Sequence, residues 1–172
     1  LVERIHVALA KHHQPWELIV VDDGSTDDTY ARLQAMAEHY GPHVRVFELS
    51  RNFGQTAALQ AGLDQTRGAI IATLDGDLQN DPEDIPRMVE HLLGQDLDMV
   101  AGWRKQRQDA ALRRRLPSRL ANWLIGRLTG VRLHDYGCSL KVYRAAVLRE
   151  VALYGQMHRF IPAWMAALTR PS

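Results

Sequence analysis

The chain has 172 residues, a formal net charge of +1 at pH 7 and a hydrophobic fraction of 46%, values typical of a soluble domain large enough to bury a core. No apolar run approaches the roughly 20 residues that span a bilayer, and nothing at the start resembles a signal peptide. The single cysteine, Cys138, excludes an internal disulfide and fits a reducing compartment, so we expect one domain over residues 1–172 with Cys138 buried rather than nucleophilic.

The near-neutral net charge hides an asymmetry between the two parts of the chain. Residues 1–100 contain 7 Lys/Arg against 17 Asp/Glu, a net of −10, and residues 101–172 contain 14 against 3, a net of +11. An acidic part suits metal ions, whereas a basic part suits phosphates, nucleic acid or an anionic membrane. The split therefore indicates two different electrostatic tasks on one surface.

Apolar runs alternate with helical patterns along the chain. Helical spacing predicts helices over residues 1–13 and 30–40. A third helix is predicted from its apolar stripe, Ile85 to Leu93, and is expected to begin at Pro82. Amphipathic segments are predicted over 116–128 and 158–168. Strands are predicted over residues 16–21, 44–49, 69–74 and 98–102, with a further candidate over 138–144. This order predicts an α/β fold with a mostly parallel sheet flanked by helices. Because such a sheet normally begins with a strand, we expect the chain to lack its own start.

Two carboxylates follow the third predicted strand, in the stretch "TLDGDLQNDPEDIP". Alternate residues of a strand point to one side, so Asp75 and Asp77 are expected to converge, with Gly76 leaving room for a ligand. Hard oxygen donors suit Mg²⁺ or Mn²⁺, and Gln79 offers a third oxygen. The other interpretation, an acidic loop that caps the next helix, leaves this pair unexplained because Asp81 already serves as the cap.

A second acidic motif, "VVDDGSTDDT", follows the first strand. In parallel α/β sheets, ligands bind beyond the carboxyl ends of the strands, which is where Asp22 and Asp23 lie. A turn with a helix cap accounts for Ser25 but poorly for the acidic doublet. Further along, Arg104 and Arg119 belong to a basic segment, and guanidinium groups bind phosphate bidentately.

Five motifs in this order resemble glycosyltransferase family 2, in the branch that acts on polyprenyl phosphates. They are "IVVDDGSTDDT", "RNFGQTAALQAGL", "TLDGDLQNDPEDIP", "GWRKQRQD" and "DYGCSLKVYR", and together they cover essentially the whole chain. The resemblance implies a GT-A fold, a UDP- or GDP-sugar donor, Mg²⁺ or Mn²⁺, a polyprenyl-phosphate acceptor and no nucleic-acid partner. It also implies work at the cytoplasmic face of the inner or plasma membrane, with this segment itself soluble.

The resemblance assigns roles residue by residue. It implies a metal site at Asp75, Asp77 and Gln79, and catalytic roles for Asp77, Arg104 and Arg119. The acceptor phosphate is assigned to Arg104, Arg119 and Lys141. Nucleotide-sugar binding is assigned to Asp22, Asp23, Ser25, Asn52, Gln55 and Asp75.

The chain departs from this family in three respects. Relatives begin with a nucleotide-binding strand that is missing here, they continue into a further basic loop and usually membrane helices, and many have an acid where this chain has Ser139. The family is inverting, which implies in-line displacement. Because a phosphate monoester is already anionic near pH 7, it needs little help from a general base, so the lost acid is tolerable.

Two other interpretations remain open at this point. A phospho-receiver domain also combines a parallel α/β sheet with an acidic doublet, although the helix entry after "DGDLQ" and the basic segment argue against it. Alternatively, the chain is a truncated core that binds nucleotide without turnover.

Overall fold

The computed structural model describes residues 1–103, 127, 135–151, 153, 155 and 157–169. The described helices are α1 (Val2–Leu9), α2 (Thr29–Tyr40), α3 (Gln55–Asp64), α4 (Asp84–Gly94), α5 (Ala145–Leu148) and α6 (Ile161–Leu168), with a 3₁₀ turn at Met157–Phe160 before α6. The described strands are β1 (Leu18–Asp22), β2 (Val44–Glu48), β3 (Ile70–Thr73), β4 (Met99–Ala101) and β5 (Lys141–Arg144). Every strand predicted from the apolar runs is therefore present, each slightly shorter than predicted.

The described strands form two sheets. β1 and β2 pair in parallel, with Leu18 opposite Val44 and Asp22 opposite Glu48. In the second sheet β5 lies between β3 and β4 and runs antiparallel to both. β3 and β4 consequently share one direction, and the antiparallel position of β5 is the feature that the sequence pattern did not predict.

The core lies on the two faces of the second sheet. Successive residues of a strand point to opposite faces, so Tyr143 packs with Ile71, Leu148 and Ile161 on one face. Its neighbour Val142 packs on the other face. The side chains of that second cluster come mainly from α4 and the approach to β5, and include Ile85, Met88, Leu92, Cys138 and Leu140. Cys138 is completely buried, as predicted.

The start of α4 differs from the prediction. The helix begins at Asp84 rather than at Pro82, because the backbone N–H groups of Asp84 and Ile85 first bond back to the carbonyls of Asp81 and Pro82 in a separate turn. Asp81 accepts a hydrogen bond from the backbone of Glu83 at 3.1 Å and pairs with Arg4 of α1 at 3.0 Å. Asp81 therefore stabilises this turn and joins it to α1.

An open slot of about 1880 Å³ separates the two sheets. In the parallel pair the N–H of Leu18 donates to the carbonyl of His43, and the carbonyl of Asp22 accepts from the N–H of Leu49. Alternate residues of β1 therefore bond to β2, and the N–H and C=O groups of Ile19 and Val21 point the other way, into the slot. On β3 the carbonyl of Ala69 accepts from Ala145, so the groups that point into the slot are those of residues 70 and 72. The slot thus has a strand edge on each side.

These two edges, on β1 and β3, have no strand partner among the described residues. The apolar runs of β1 and β3 predict strands covered on both faces, yet most of their residues are only half-buried and Ala72 is exposed. An open space between the strands accounts for that exposure. The further strand expected from the sequence stays a prediction. Within the described ranges, no helix is long and apolar enough to cross a membrane.

A partly buried ion pair lies at the start of β1, the end opposite to Asp22. Arg45 donates to Glu17 at 2.7 Å, and both side chains are only 23% exposed. Glu17 also accepts the backbone N–H of Arg67 at 2.7 Å. Burial opposes ionisation of Glu17, but the Arg67 hydrogen bond together with the hydrogen bond and charge of Arg45 outweighs it and lowers the pKa of this carboxyl. The contact links β1 and β2 to the segment that precedes β3.

We predict that Glu17→Gln lowers the free energy of unfolding at pH 7 by about 0.5–1 kcal/mol, the usual range for a partly exposed ion pair. Because the folded pKa is depressed, the contribution is complete above about pH 4.3, the ordinary glutamate value, and is lost as the pH falls through the folded pKa. Urea denaturation of both proteins across this pH range measures the difference.

Glu38→Gln is the matched control, since Glu38 is an exposed glutamate on α2 and its loss should leave stability nearly unchanged. A Glu17→Gln deficit that stays constant down to pH 3 would contradict the assigned ion pair.

Candidate functional site

The two acidic motifs lie at the ends of strands and reach one cavity. Asp22 is the last residue of β1, and Asp75 follows the last residue of β3 by two positions. Asp23, Gln55, Asp75, Ser139 and Lys141 all line the slot described above. Residues from four of the five family motifs are thereby brought to one space, although they are far apart in the sequence.

Asp22 is held inside the turn that follows β1. Its side chain is 5% exposed, and Oδ1 accepts hydrogen bonds from the backbone N–H of Ser25 at 3.2 Å and from the Ser25 hydroxyl at 2.5 Å. The second oxygen, Oδ2, is buried without a hydrogen-bond partner among the described residues. A buried acceptor left without a donor is costly, so this oxygen is suited to a donor group on a ligand.

Asp23 binds backbone rather than projecting freely. Its two oxygens accept the N–H groups of Phe53 at 2.8 Å and Gly54 at 2.9 Å. The neighbouring Gly24 has φ +71°, and a β-carbon on it would come within 2.4 Å of the Arg51 carbonyl carbon. Only glycine allows this approach. The turn after β1 and the loop before α3 are therefore locked together.

The loop before α3 connects this turn to the second acidic motif. The loop includes Asn52, which is exposed, and it ends at Gln55, the first residue of α3. The side-chain amide of Gln55 donates to Oδ1 of Asp75 at 2.8 Å. The predicted nucleotide residue Gln55 thus contacts the predicted metal residue Asp75.

The acidic loop, defined here as residues 75–80, is not a continuation of β3. The strand ends at Thr73, so the expectation that strand alternation aligns Asp75 and Asp77 is wrong. Instead the loop turns: Asp77 accepts the backbone N–H of Gln79 at 3.1 Å, and Leu78 has φ +61°. A left-handed conformation is uncommon for leucine and marks a constrained backbone.

The composition of the acidic loop fits a hard divalent cation. Asp75 is half-buried and lines the cavity, while Asp77 and Gln79 are exposed to solvent. Their carboxylate and amide oxygens are of the kind that Mg²⁺ and Mn²⁺ prefer. In the described ranges no group of three or more His, Cys, Asp or Glu side chains is arranged to hold a metal. An ion here would therefore take its remaining ligands from water or a bound phosphate.

Lys141 is the described member of the predicted acceptor site. It is 4% exposed, and its ammonium donates to the carbonyl of Cys138 and, at 3.4 Å, to that of Tyr136. Carbonyl contacts of this kind satisfy a buried ammonium. Arg104 and Arg119 lie outside the described residues. Of the three residues predicted to bind the acceptor phosphate, the structure therefore describes Lys141.

Three polar residues around the acidic loop were not identified from the sequence. Asn80 is 8% exposed, and its amide donates to the hydroxyl of Ser139 at 3.1 Å. Thr73 donates to the carbonyl of Ser139 at 2.8 Å. The signal in the sequence was their position: Thr73 and Asn80 lie within three residues of the acidic pair, and Ser139 stands in "GCSLK" where many relatives have an acid.

Solved structures with a similar fold define the class of protein. A mycobacterial protein of known crystal structure matches 97% of this chain and 54% of its own, at 26% identity and a TM-score of 0.68. Glucosyl-3-phosphoglycerate synthase from Mycobacterium tuberculosis, solved with UDP, matches 86% of this chain and 53% of its own at 24% identity and a TM-score of 0.63. The fold is GT-A-like, with helices around a sheet that contains parallel strands.

The chain belongs to glycosyl transferase family 2, whose model matches residues 1–153. It is 56% identical over 172 residues to dodecaprenyl-phosphate galacturonate synthase from Rhizobium johnstonii, covering 100% of this chain and 51% of that protein. It is 45% identical over 162 residues to undecaprenyl-phosphate 4-deoxy-4-formamido-L-arabinose transferase from Pseudomonas aeruginosa (strain LESB58), covering 94% and 47%. The chain thus spans about half the length of these curated relatives, and the phospho-receiver interpretation is set aside.

We predict that Gly24→Ala destabilises the protein by about 2–5 kcal/mol, because the methyl group adds overpacking against the Arg51 backbone to the cost of a left-handed alanine. Thermal and urea unfolding measure the loss.

Gly155→Ala is the matched control: Gly155 also has a positive φ, +60°, but a β-carbon there meets nothing within 4 Å in the described structure. It should cost only about 1–2 kcal/mol. Equal losses for the two variants would contradict the tight contact between the turn after β1 and the loop before α3.

Proposed function

We propose that this protein is a metal-dependent, inverting glycosyltransferase that transfers a sugar from a nucleotide-sugar to a polyprenyl phosphate. The observation that carries the proposal is the acidic loop, whose first carboxylate, Asp75, lines the cavity and accepts a hydrogen bond from Gln55. The names of the two curated relatives, both enzymes of polyprenyl phosphates, support the acceptor class. The M. tuberculosis glucosyl-3-phosphoglycerate synthase has been solved with Mn²⁺ and UDP-glucose, which supports the donor and metal class.

The donor is proposed to bind across the turn after β1 and the loop before α3. Asp22 offers a buried acceptor oxygen to an N–H or O–H group of the nucleoside, and Ser25 keeps the other oxygen of that carboxylate in place. Asp23 acts through the backbone of residues 53 and 54 and thereby orients Asn52 and Gln55. These contacts suit a UDP- or GDP-sugar.

The metal is proposed to be Mg²⁺ or Mn²⁺, held by Asp75, Asp77 and Gln79. When bound, such an ion neutralises the charge that develops on a leaving diphosphate. The residues of the chain supply the rest: Gln55 fixes one oxygen of Asp75, and the backbone of the acidic loop orients Asp77. Without a cation, the two like charges in this short loop repel each other.

The acceptor is proposed to approach from the basic side of the chain, where Arg104, Arg119 and Lys141 receive its phosphate. A phosphate monoester has a second pKa of about 6, so near pH 7 it is already an anionic nucleophile. Orientation by cationic groups then replaces activation by a general base. A lipid acceptor and a basic segment both suit the cytoplasmic surface of a membrane, where anionic lipids attract Lys and Arg.

We predict that Asp77→Asn loses Mn²⁺-dependent binding of the nucleotide-sugar while the fold is retained, because the exposed carboxylate contributes to the metal site and not to the core. Isothermal calorimetry with UDP-sugars and GDP-sugars, with and without Mn²⁺, measures the effect.

Asp98→Asn is the control, since Asp98 directly precedes β4 and is not part of the acidic loop. Unchanged metal-dependent binding in Asp77→Asn would refute the metal assignment. Binding by the unmodified protein without any sugar transfer to polyprenyl phosphate would instead support a nucleotide-binding core without turnover.

A further inference from the structure

Ser139 lies where the segment before β5 meets both ends of the acidic loop. Its hydroxyl oxygen accepts the backbone N–H of Asp75 at 3.2 Å and the side-chain amide of Asn80 at 3.1 Å. Its carbonyl accepts the Thr73 hydroxyl at 2.8 Å. One residue therefore bonds to the strand end, the first residue and the last residue of this loop.

Asn80 is fixed from a second direction. Its side-chain oxygen accepts the thiol of Cys138 at 3.1 Å, and Cys138 is completely buried. The Asn80 amide thus contacts two consecutive residues of the segment before β5, through its oxygen and its nitrogen. Because buried polar groups bonded in this way resist rearrangement, the far end of the acidic loop is held as well as its start.

The hydrogen bonds of Ser139 define what its side chain can do chemically. A serine hydroxyl has two lone pairs and one proton, and two N–H donors already occupy the oxygen. An oxygen engaged in this way has no lone pair left for a proton from a nucleophile. The hydroxyl therefore serves as a fixed acceptor of hydrogen bonds and not as a general base.

We infer that Ser139, together with Asn80, is a positioning residue for the metal site, and this inference rests on the proposed function. Ser139 fixes the backbone of Asp75, and Gln55 fixes its carboxylate. Between the two anchored residues, Asp75 and Asn80, the loop carries Asp77 and the left-handed Leu78. Holding both ends orders the carboxylates before an ion arrives, which reduces the entropy that binding must overcome.

The test is Mn²⁺ binding by the purified protein without nucleotide, followed by electron paramagnetic resonance of the free ion. Ser139→Ala should weaken Mn²⁺ binding about 10–100-fold, the usual effect of removing a group that orients metal ligands. Ser139→Thr keeps the hydroxyl and should bind within a few-fold of the unmodified protein. Ser50→Ala removes an exposed serine and should leave the affinity unchanged.

A second readout needs no metal. Hydrogen exchange of the Asp75 amide in metal-free protein should accelerate in Ser139→Ala and remain slow in Ser139→Thr, because only the former removes the acceptor. Should Ser139→Ala fail to fold, Ser139→Cys retains the shape with a weaker acceptor and should show a smaller loss in the same direction.

The outcomes separate this inference from the function on which it rests. If the unmodified protein does not bind Mn²⁺, the proposed metal site fails and the inference fails with it. If the unmodified protein binds Mn²⁺ and Ser139→Ala binds equally well, only the positioning role is wrong. Reduced thermal stability with unchanged Mn²⁺ affinity and unchanged Asp75 exchange would likewise contradict it.

Discussion

The placement of two carboxylates, Asp75 and Asp77, in one short loop is the constraint on which the candidate site depends. Two like charges close together in a loop disfavour each other unless the chain holds the backbone and a cation balances the charge. The loop is held in place by hydrogen bonds that involve Gln55, Asn80 and Ser139. The proposed divalent ion balances the charge of the two carboxylates. A metal site thus explains both the acidic loop and the hydrogen bonds around it.

The same network joins the two acidic motifs. Asp23 holds the loop before α3, that loop ends at Gln55, and Gln55 bonds to Asp75. A nucleotide bound near β1 and an ion bound near β3 would therefore share one set of rigid connections. This arrangement suits a diphosphate, which has to contact both, and it explains why Gly24 is packed so closely that a β-carbon would not fit.

Local sequence patterns predicted most of the fold because they report directly on burial. The apolar runs over residues 16–21 and 69–74 indicated two of the strands and placed acids directly after them, while family motifs indicated Gln55 and Asp75 as site residues. The antiparallel position of β5 and the role of Ser139 depend on contacts between residues 59–74 positions apart, which no periodicity encodes. The expectation that strand alternation aligns Asp75 and Asp77 was wrong, because β3 ends before Asp75. The loop turns instead, with Leu78 in a left-handed conformation.

The central claim is that the acidic loop holds a divalent ion in direct contact with the diphosphate of the donor. Electron–nuclear double resonance of Mn²⁺ bound to the protein in the presence of UDP tests it most directly. The account predicts a ³¹P coupling to the bound Mn²⁺ that disappears when Asp75 and Asp77 are both replaced by asparagine. A protein-bound Mn²⁺ without ³¹P coupling, or a coupling that survives loss of both carboxylates, would contradict it.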